Sequence, residues 1–552
     1  MSAPGPQPQV LVVGAGPTGL AAACTLLQNG VPCRVVERRA GVAEEPKALI
    51  LWSGALEVLR RLGVHERVIG QSLPLASASY FSGGRRIGGV RFGGLEGTAF
   101  PGPVCLPQPG TEEALYDRLL ELGGSVEWST QVHSAEPTGE GVRVVLGPSG
   151  DPDSREEVSA AWVVAADGSR SAVRESLGVA FEGDTYDRVF LLSDGVVSGP
   201  VPEKEAQYHL TPDGVLVIVP LPGGGHRVFF DIAPDGDTEP PGDELLARLL
   251  AERGPAGMRI ESVWWRSRFR VHARVAREFR RGRVLIAGDA AHLHSPAGGQ
   301  GLNTGIQDGF DLGWKLASVL RGAPEGLLDS YPLERRPTAQ AVVRSADQQT
   351  RAWMVRAPLA RLVRDTLMRT LSASGLLEKR LVPQLAQISP DLRESPAVTA
   401  PRPAGGSARR WGTRSRAGGS ATRRSSRGRD QGREPARLPR LRAAGAAGRR
   451  LLPEGRRRGG RAEARGPRGR GRAPADRPRR RGARPRGPRR GPVGRAPGGG
   501  AGREWVVHVR PDAVVASVAV LDPGWRAEVF LGSAPLPRVQ HSPSKRYVNP
   551  IV

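Results

Sequence analysis

Three glycine-rich stretches carry the residues of this 552-residue chain whose types and spacing could do chemistry. In VLVVGAGPTGLAAACTLL, Gly14, Gly16 and Gly19 stand at the spacing that permits a tight turn, close approach to a pyrophosphate and close packing of the next helix. Pro17, followed by Thr18, opens that helix, and Gly30 sits where it would end. The run VPCRVVER is a second apolar strand that closes on Glu37 and Arg38, and Glu37, 23 residues after Gly14, suits hydrogen bonds from ribose hydroxyls. The unit is a βαβ dinucleotide site. By itself it does not separate NAD from FAD, because both present an adenosine ribose and a pyrophosphate.

A later stretch, RVLIAGDAAHLHSPAGGQGLNTGIQDGFDLGWK from Arg283 to Lys315, runs from an apolar strand into Gly288 and Asp289 and then into a glycine-rich, helix-opening loop. Such a loop presents backbone N–H groups to an anionic or carbonyl-rich ligand. Between the two, VVAADGSRSAVR with Asp167, Gly168 and Arg174 reads as strand, turn and helix start. Taken singly, each is also compatible with a capped turn that binds nothing.

Together the three motifs resemble the FAD-dependent aromatic hydroxylases, single-component flavoprotein monooxygenases related to para-hydroxybenzoate hydroxylase. With DSYPLERRP at Asp329 to Pro337, the resemblance runs over residues 10 to about 390. It implies that Asp289 binds the flavin ribityl chain while Gly288 allows close approach. It implies that Pro296, Gly298, Gly299, Gly301, Leu302 and Asn303 lie along the isoalloxazine ring. Helix-start N–H groups near Asn303 would then face the edge where negative charge gathers on reduction. Asp167 and Arg174 inherit support of FAD and of the approach of NADPH or NADH, and Gln108, in LPQPGTEEALYDRL, inherits a flavin contact. One departure stands out in PKALILWSGALEVLRRLG. Lys47 occupies the place of the family's pyrophosphate arginine, and Gly54 and Ala55 that of a second arginine. Lysine supplies charge without a planar fork, which predicts weaker FAD retention or an altered nicotinamide preference.

Such motifs require a parallel sheet to carry them, so the expected fold is α/β: a Rossmann-like FAD-binding domain with an inserted antiparallel β-sheet substrate domain, a helical segment and an aberrant Arg-Gly-rich C-terminal region. Residues 1–180 form the FAD-binding domain, with substrate-sheet strands near 73–103; residues 181–269 form the substrate domain and residues 270–345 return to the first. SASYFSGGRRIGGVRF and the run from Tyr186 to Trp265 alternate apolar and polar residues between Gly-Pro turns, which predicts antiparallel strands. In the family that sheet roofs the substrate cavity. Residues 346–400 are a helical segment in which AWMVRAPLARLVRDTLMRTL is expected to turn its Leu and Met stripe into the core. His292 and His294 suggest a metal or a proton shuttle, but their i, i+2 spacing would separate them on a helix and no carboxylate cluster accompanies them, so no metal is expected.

The charge of the chain is local. Residues 401–500 hold 32 arginines, no lysine and 5 acids, a net +27, while the remainder of the chain sums to −2. This part of the low-complexity region 401–503 is rich in Gly, Ala and Pro and lacks the apolar surface to offset chain entropy, so disorder is expected. Three readings fit it. A high-GC gene read in a shifted frame is favoured, because related polyketide-tailoring hydroxylases carry a thioredoxin-like domain there whose pattern is absent. The others are a genuine disordered tail and a nucleic-acid-binding tail; Trp411 as its lone aromatic speaks against the last. Residues 504–552 are a C-terminal remnant in which EWVVHVRPDAVVASVAV resembles a strand of that domain.

Length suggests about two to four domains. Cys24, Cys33 and Cys105 are too few for a disulfide framework, and neither a signal sequence nor a membrane-length apolar run is apparent, so a cytoplasmic enzyme with no membrane partner is expected. The resemblance implies hydride transfer from NAD(P)H to FAD, reaction with O2 to a C4a-hydroperoxide, and hydroxylation of an electron-rich aromatic ring, phenolic or polyketide. It assigns no catalytic base. The alternatives are a flavin-dependent reductase or dehydrogenase on the same fold, or an inactive relic with a polyanion-binding tail. A halogenase is disfavoured because its WxWxIP segment is not found.

Overall fold

The computed structural model describes residues 9–388 except residue 152, then Leu392, Ser395 and Ala397, and finally residues 504–510, 512 and 515–521. The N-terminal lead and the arginine-rich window, with the disorder, frame and nucleic-acid readings attached to it, lie outside the described residues. The chain divides into Met1–Arg402 with Gly502–Val552, and Pro403–Ala501; every described residue belongs to the first unit.

A six-stranded sheet carries the motifs. Its order is Arg280–Arg281, Val284–Ile286, Trp162–Ala165, Val10–Val13, Arg34–Val36 and Val126–Glu127, parallel throughout except at the first pair. Val10–Val13 is apolar at every position because both of its faces are covered, as a central parallel strand requires. Arg34–Val36 lies on one side of it and Trp162–Ala165 on the other. The chain therefore reverses its winding direction at this strand, and a crevice opens at its carboxyl end. Helix Pro17–Gln28 packs backbone to backbone on helix Gly301–Leu320, since a Cβ at Gly309 would lie 2.3 Å from the Thr18 carbonyl oxygen. The first and last motifs are thereby brought into contact.

A second, eight-stranded sheet runs in the order His292–Leu293, Arg259–Ala276, Phe181–Ser198, His226–Ile232, Gly214–Pro220, Glu205–Thr211, Ser77–Ser82 and Arg85–Arg91. The sheet is mixed, not antiparallel throughout as expected, because Ser77–Ser82 pairs parallel with Glu205–Thr211, two strands joined by no hairpin and so free of the antiparallel constraint. Residues of helix Asp243–Arg253 (Leu246, Leu249 and Leu250) pack with Leu216, Ile218 and Phe230 of the sheet. Ala78, Tyr80, Val90, Ala206 and Tyr208 belong to a separate apolar cluster that includes Ala297. A three-stranded antiparallel sheet over residues 130–160, which pattern reading did not anticipate, sits beside the parallel one.

Helices Ser330–Trp353, Pro358–Ala373 and Leu376–Ala386 make up the helical segment. The expected buried stripe is corrected. Leu359, Leu362, Val363 and Leu367 are 74, 59, 60 and 56% exposed. The inward edge is taken instead by Arg364, Met368 and Ser372, also four residues apart, with the Ser372 hydroxyl bonded to Gly89 at 3.0 Å. Glu504–Val509 and Val515–Leu521 form an antiparallel hairpin. Arg510, which follows its first strand, is buried over the Trp314 ring, with its Nη1 2.7 Å from Glu334.

Candidate active site

The turn after Val10–Val13 is built for close approach. Gly14 has φ +102°, donates its N–H to the Val36 carbonyl at 2.8 Å, and leaves only 2.3 Å between a would-be Cβ and the Ala166 oxygen. A Cβ on Gly19 would lie 1.9 Å from the Gly14 oxygen. Over Gly16, by contrast, nothing lies within 4 Å. Gly16 caps helix Pro17–Gln28, whose Pro17 start lacks an acidic residue in its first turn, so an anion can sit against the positive helix end.

Glu37, directly after strand Arg34–Val36, is 7% exposed and accepts from the backbone N–H of Ala15 at 2.8 Å and of Arg39 at 3.0 Å. Burial would raise its carboxyl, but those two bonds and the Arg39 charge outweigh burial and hold it below its ordinary value. It stays ionised, with lone pairs to spare for ribose hydroxyls. Glu37, the exposed Arg38, Gly14 and Asp167 line one open cleft. Asp167 accepts from Val173 N at 3.2 Å through one oxygen, while the other is buried without a partner. Burial raises this carboxyl against the bonds from Ser171 and Val173. An open anion seat, an ionised ribose acceptor and an unpartnered carboxylate oxygen fit an adenosine diphosphate.

The third motif meets this turn from the other side. Gly288 has φ +61°, and a Cβ there would lie 2.4 Å from the Thr18 hydroxyl oxygen. Asp289 is exposed and makes no hydrogen bond among the described residues. Arg174, 4% exposed, does not reach solvent; it donates to the carbonyls of Ala290 at 3.1 Å and Ser169 at 3.2 Å, tying the second motif to the third. Behind the turn, fully buried Asp308 accepts from Gly288 N at 3.2 Å, His292 Nε2 at 2.7 Å and Arg335 Nε at 2.6 Å. Burial would raise Asp308, yet Arg335 and His292 keep it below its ordinary value. His292 lies in the two-residue strand His292–Leu293 and not on a helix, and the buried Asp308 holds its ring. His294 Nδ1 is 2.7 Å from the Ser295 carbonyl.

The ring end of the groove follows. Pro296 is exposed, Gly298 and Gly299 have φ +79° and +61°, and Gly301 starts helix Gly301–Leu320, with Leu302 half-buried behind it. The Asn303 side chain is wholly committed to protein. Its Oδ1 accepts from Trp52 N at 2.6 Å, and its Nδ2 donates to the carbonyls of Ile50 and Gly299, each at 2.8 Å. The Trp52 indole donates to the Gly298 carbonyl at 2.8 Å. Between Gly298, Trp52 and Ile50 on one side and Tyr80, Phe92 and Tyr208 on the other lies a second, smaller cavity.

Lys47 lies on the loop before strand Ile50–Leu51, and Gln108 opens helix Gln108–Glu121. Lys47 Nζ pairs with Glu45 at 2.8 Å, both side chains being more than 60% exposed. Gln108 exchanges bonds with Ala48 and donates to Glu112 at 2.7 Å. Gly54 has no room for a longer residue, since a Cβ would lie 2.7 Å from the Gln387 oxygen. Sequence reading passed over Arg39, Glu112 and Arg227. Glu112 accepts from Arg39 and from Ala43 N, each at 3.2 Å, and Arg227 ties the Lys47 carbonyl to Asp194 of the sheet. Asp308 carries a signal in the sequence. Charges on a helix otherwise apolar must find partners, and Asp308, Asp311 and Lys315 are such charges.

This fold and groove are those of a dinucleotide-binding α/β protein with a second, apolar-lined pocket beside the Gly298 loop. Comparison gives the same class. The family model described as FAD binding domain matches residues 7–346. The 6-methylpretetramide 4-monooxygenase of Streptomyces rimosus is 35% identical over 382 residues, 68% of this chain and 67% of that protein. Pentachlorophenol 4-monooxygenase of Sphingobium chlorophenolicum is 33% identical over 342 residues, 60% and 63% of the two chains. The solved anhydrotetracycline hydroxylase of Streptomyces rimosus superposes with a TM-score of 0.58 at 31% identity, covering 68% of this chain and 75% of that one. The chain belongs to the FAD-binding family of aromatic hydroxylases.

Proposed function

We propose that this protein is a monooxygenase that uses FAD, NADPH or NADH, and O2 to hydroxylate an electron-rich aromatic ring. The observation that carries the reading is the apolar, aromatic-lined cavity between the Gly298 loop and the eight-stranded sheet. Bound FAD would supply the redox chemistry that no side chain of the chain provides. The chain's own residues orient and protect. The Gly14 to Thr18 turn, with Lys47 nearby, would hold the diphosphate, Glu37 the ribose, and Asp289 the ribityl chain. The N–H groups from Gly301 to Asn303 would face the charge that develops on the pyrimidine edge. Trp52, Ile50 and Phe92 keep water from the reacting face.

Residues 1–180 and 270–345 are assigned to flavin binding and residues 181–269 to the substrate. Relatives named for pretetramide, anhydrotetracycline and chlorophenol support a phenolic or aromatic polyketide substrate. The thiols of Cys24, Cys33 and Cys105 are free, which fits a reducing compartment, taken to be the cytoplasm. Among the described residues no helix is long and apolar enough to cross a membrane.

A visible spectrum before and after anaerobic NADPH, followed by turnover under ¹⁸O2, tests the proposal. Flavin bands that bleach, with label in the product, are expected. Bleaching without label would leave a reductase. A protein that cannot be reconstituted with FAD would overturn the reading altogether.

A further inference from the structure

Tyr80 on strand Ser77–Ser82 and Tyr208 on strand Glu205–Thr211 are partners in register across a parallel ladder. Their side chains therefore leave the same face of the sheet. The rings stack with centroids 4.9 Å apart and planes 22° from parallel, which sets the two phenols side by side. Both line the cavity beneath Gly298, at 7% and 8% exposure. Among the described residues neither hydroxyl makes a hydrogen bond, whereas the hydroxyls of Tyr186 and Tyr331 bond to Asp347 at 2.5 Å and to the Ile286 carbonyl at 2.8 Å. Neither hydroxyl oxygen is fully enclosed, so each opens onto the cavity without a protein partner, as a donor free for a ligand would. Packing accounts for the rings, which Trp353 extends at 5.1 Å from Tyr208. It does not account for the hydroxyls, since phenylalanine would pack as well without them.

The rest of the lining is uncharged, with Gln349 contributing its amide. The buried guanidinium of Arg227, on the same sheet, is committed to Asp194 and to the carbonyls of Pro46 and Lys47. A carboxylate entering the cavity would lose its water and meet no cation.

We propose that Tyr80 and Tyr208 form a two-hydroxyl clamp that orients an uncharged aromatic substrate by a carbonyl or hydroxyl oxygen at its ring edge, and that the cation-free lining rejects carboxylated aromatics. The inference rests on the reading of this cavity as the substrate site. Burial raises both phenols, Tyr208 to about 12, so both remain protonated donors at neutral pH.

The test uses the FAD-loaded protein, Tyr80→Phe, Tyr208→Phe and the double variant. The probes are 1,8-dihydroxyanthraquinone and 4,5-dihydroxyanthraquinone-2-carboxylate, the same rings with a carboxylate added. Binding is followed by tryptophan quenching. The neutral probe should bind at least about tenfold more tightly than the carboxylate. Each phenylalanine should weaken it about fivefold, and the double variant further. Equal affinities for the two probes, no binding of the neutral probe, or unchanged affinity in the double variant would overturn the clamp. The outcomes separate from those of the monooxygenase reading. Labelled product together with unchanged affinity in the double variant sinks the clamp alone, and a working clamp without label sinks the oxygenase alone.

Discussion

Substituting Arg227 with methionine should cost about 3–5 kcal/mol of stability, the range for breaking a buried ion pair from one side. Arg227 is 5% exposed and stands directly opposite Asp194 in the antiparallel ladder. Its Nε and Nη2 reach the two Asp194 oxygens at 2.7 and 2.8 Å, and its Nη1 reaches the Lys47 carbonyl at 2.8 Å. Nη2 also donates to the Pro46 carbonyl. Methionine leaves Asp194, 1% exposed, as a buried charge without a counter-ion, and two loop carbonyls without a donor. In the double variant Asp194→Asn/Arg227→Met no charge is orphaned, so its loss should fall short of the sum of the single losses by about 2 kcal/mol. Arg227→Lys keeps the charge but not the fork, and should lose about 1–2 kcal/mol. Urea unfolding at one fixed FAD concentration gives these values, the fixed concentration being needed because bound FAD itself adds stability. Because the released loop carries Lys47, FAD should also dissociate more readily, read by recovery of flavin fluorescence. A loss under about 1 kcal/mol in Arg227→Met, or strict additivity in the double variant, would refute the clamp between sheet and loop.

Asn303→Ala removes the acceptor of Trp52 N and the donor of the Ile50 and Gly299 carbonyls, and should lower stability by about 3 kcal/mol along with FAD occupancy, read by thermal melting and flavin absorbance. His209, 6% exposed and stacked on Phe81, has its pKa pushed down from 6.5 to about 4 by burial. The fold favours the neutral ring, so this stability is complete above 6.5 and is lost as pH falls toward 4, by up to about 3 kcal/mol. His209→Asn should flatten the stability profile in that window, and an unchanged acid slope would remove His209 as the cause. Lys47→Arg should tighten FAD binding about threefold by restoring a fork toward phosphate, and equal dissociation constants would show that the lysine is not the weak point.

Local steric and patterning constraints made much of this fold legible in advance. Gly14 and Gly288 adopt left-handed φ at turns where a Cβ would strike the Ala166 oxygen and the Thr18 hydroxyl, so the motif is written where it acts. Val10–Val13 declares a strand covered on both faces, and the Pro17 start of its helix is equally local. Helical spacing alone is ambiguous about direction. In Pro358–Ala373 both the leucine row and the row Arg364, Met368 and Ser372 recur every four residues, and only packing on Gly89 decides which turns inward. The pairs that finish the site were not legible. Asp308 with His292 and Arg335, Glu112 with Arg39, Arg227 with Asp194, and Tyr80 with Tyr208 join residues separated by 16 to 128 positions. A buried charge or hydroxyl signals in the sequence that it needs a partner, because desolvation penalises it wherever it is placed. Which partner it meets is set by strand register and crossover direction, and these exist only once the long loops have closed.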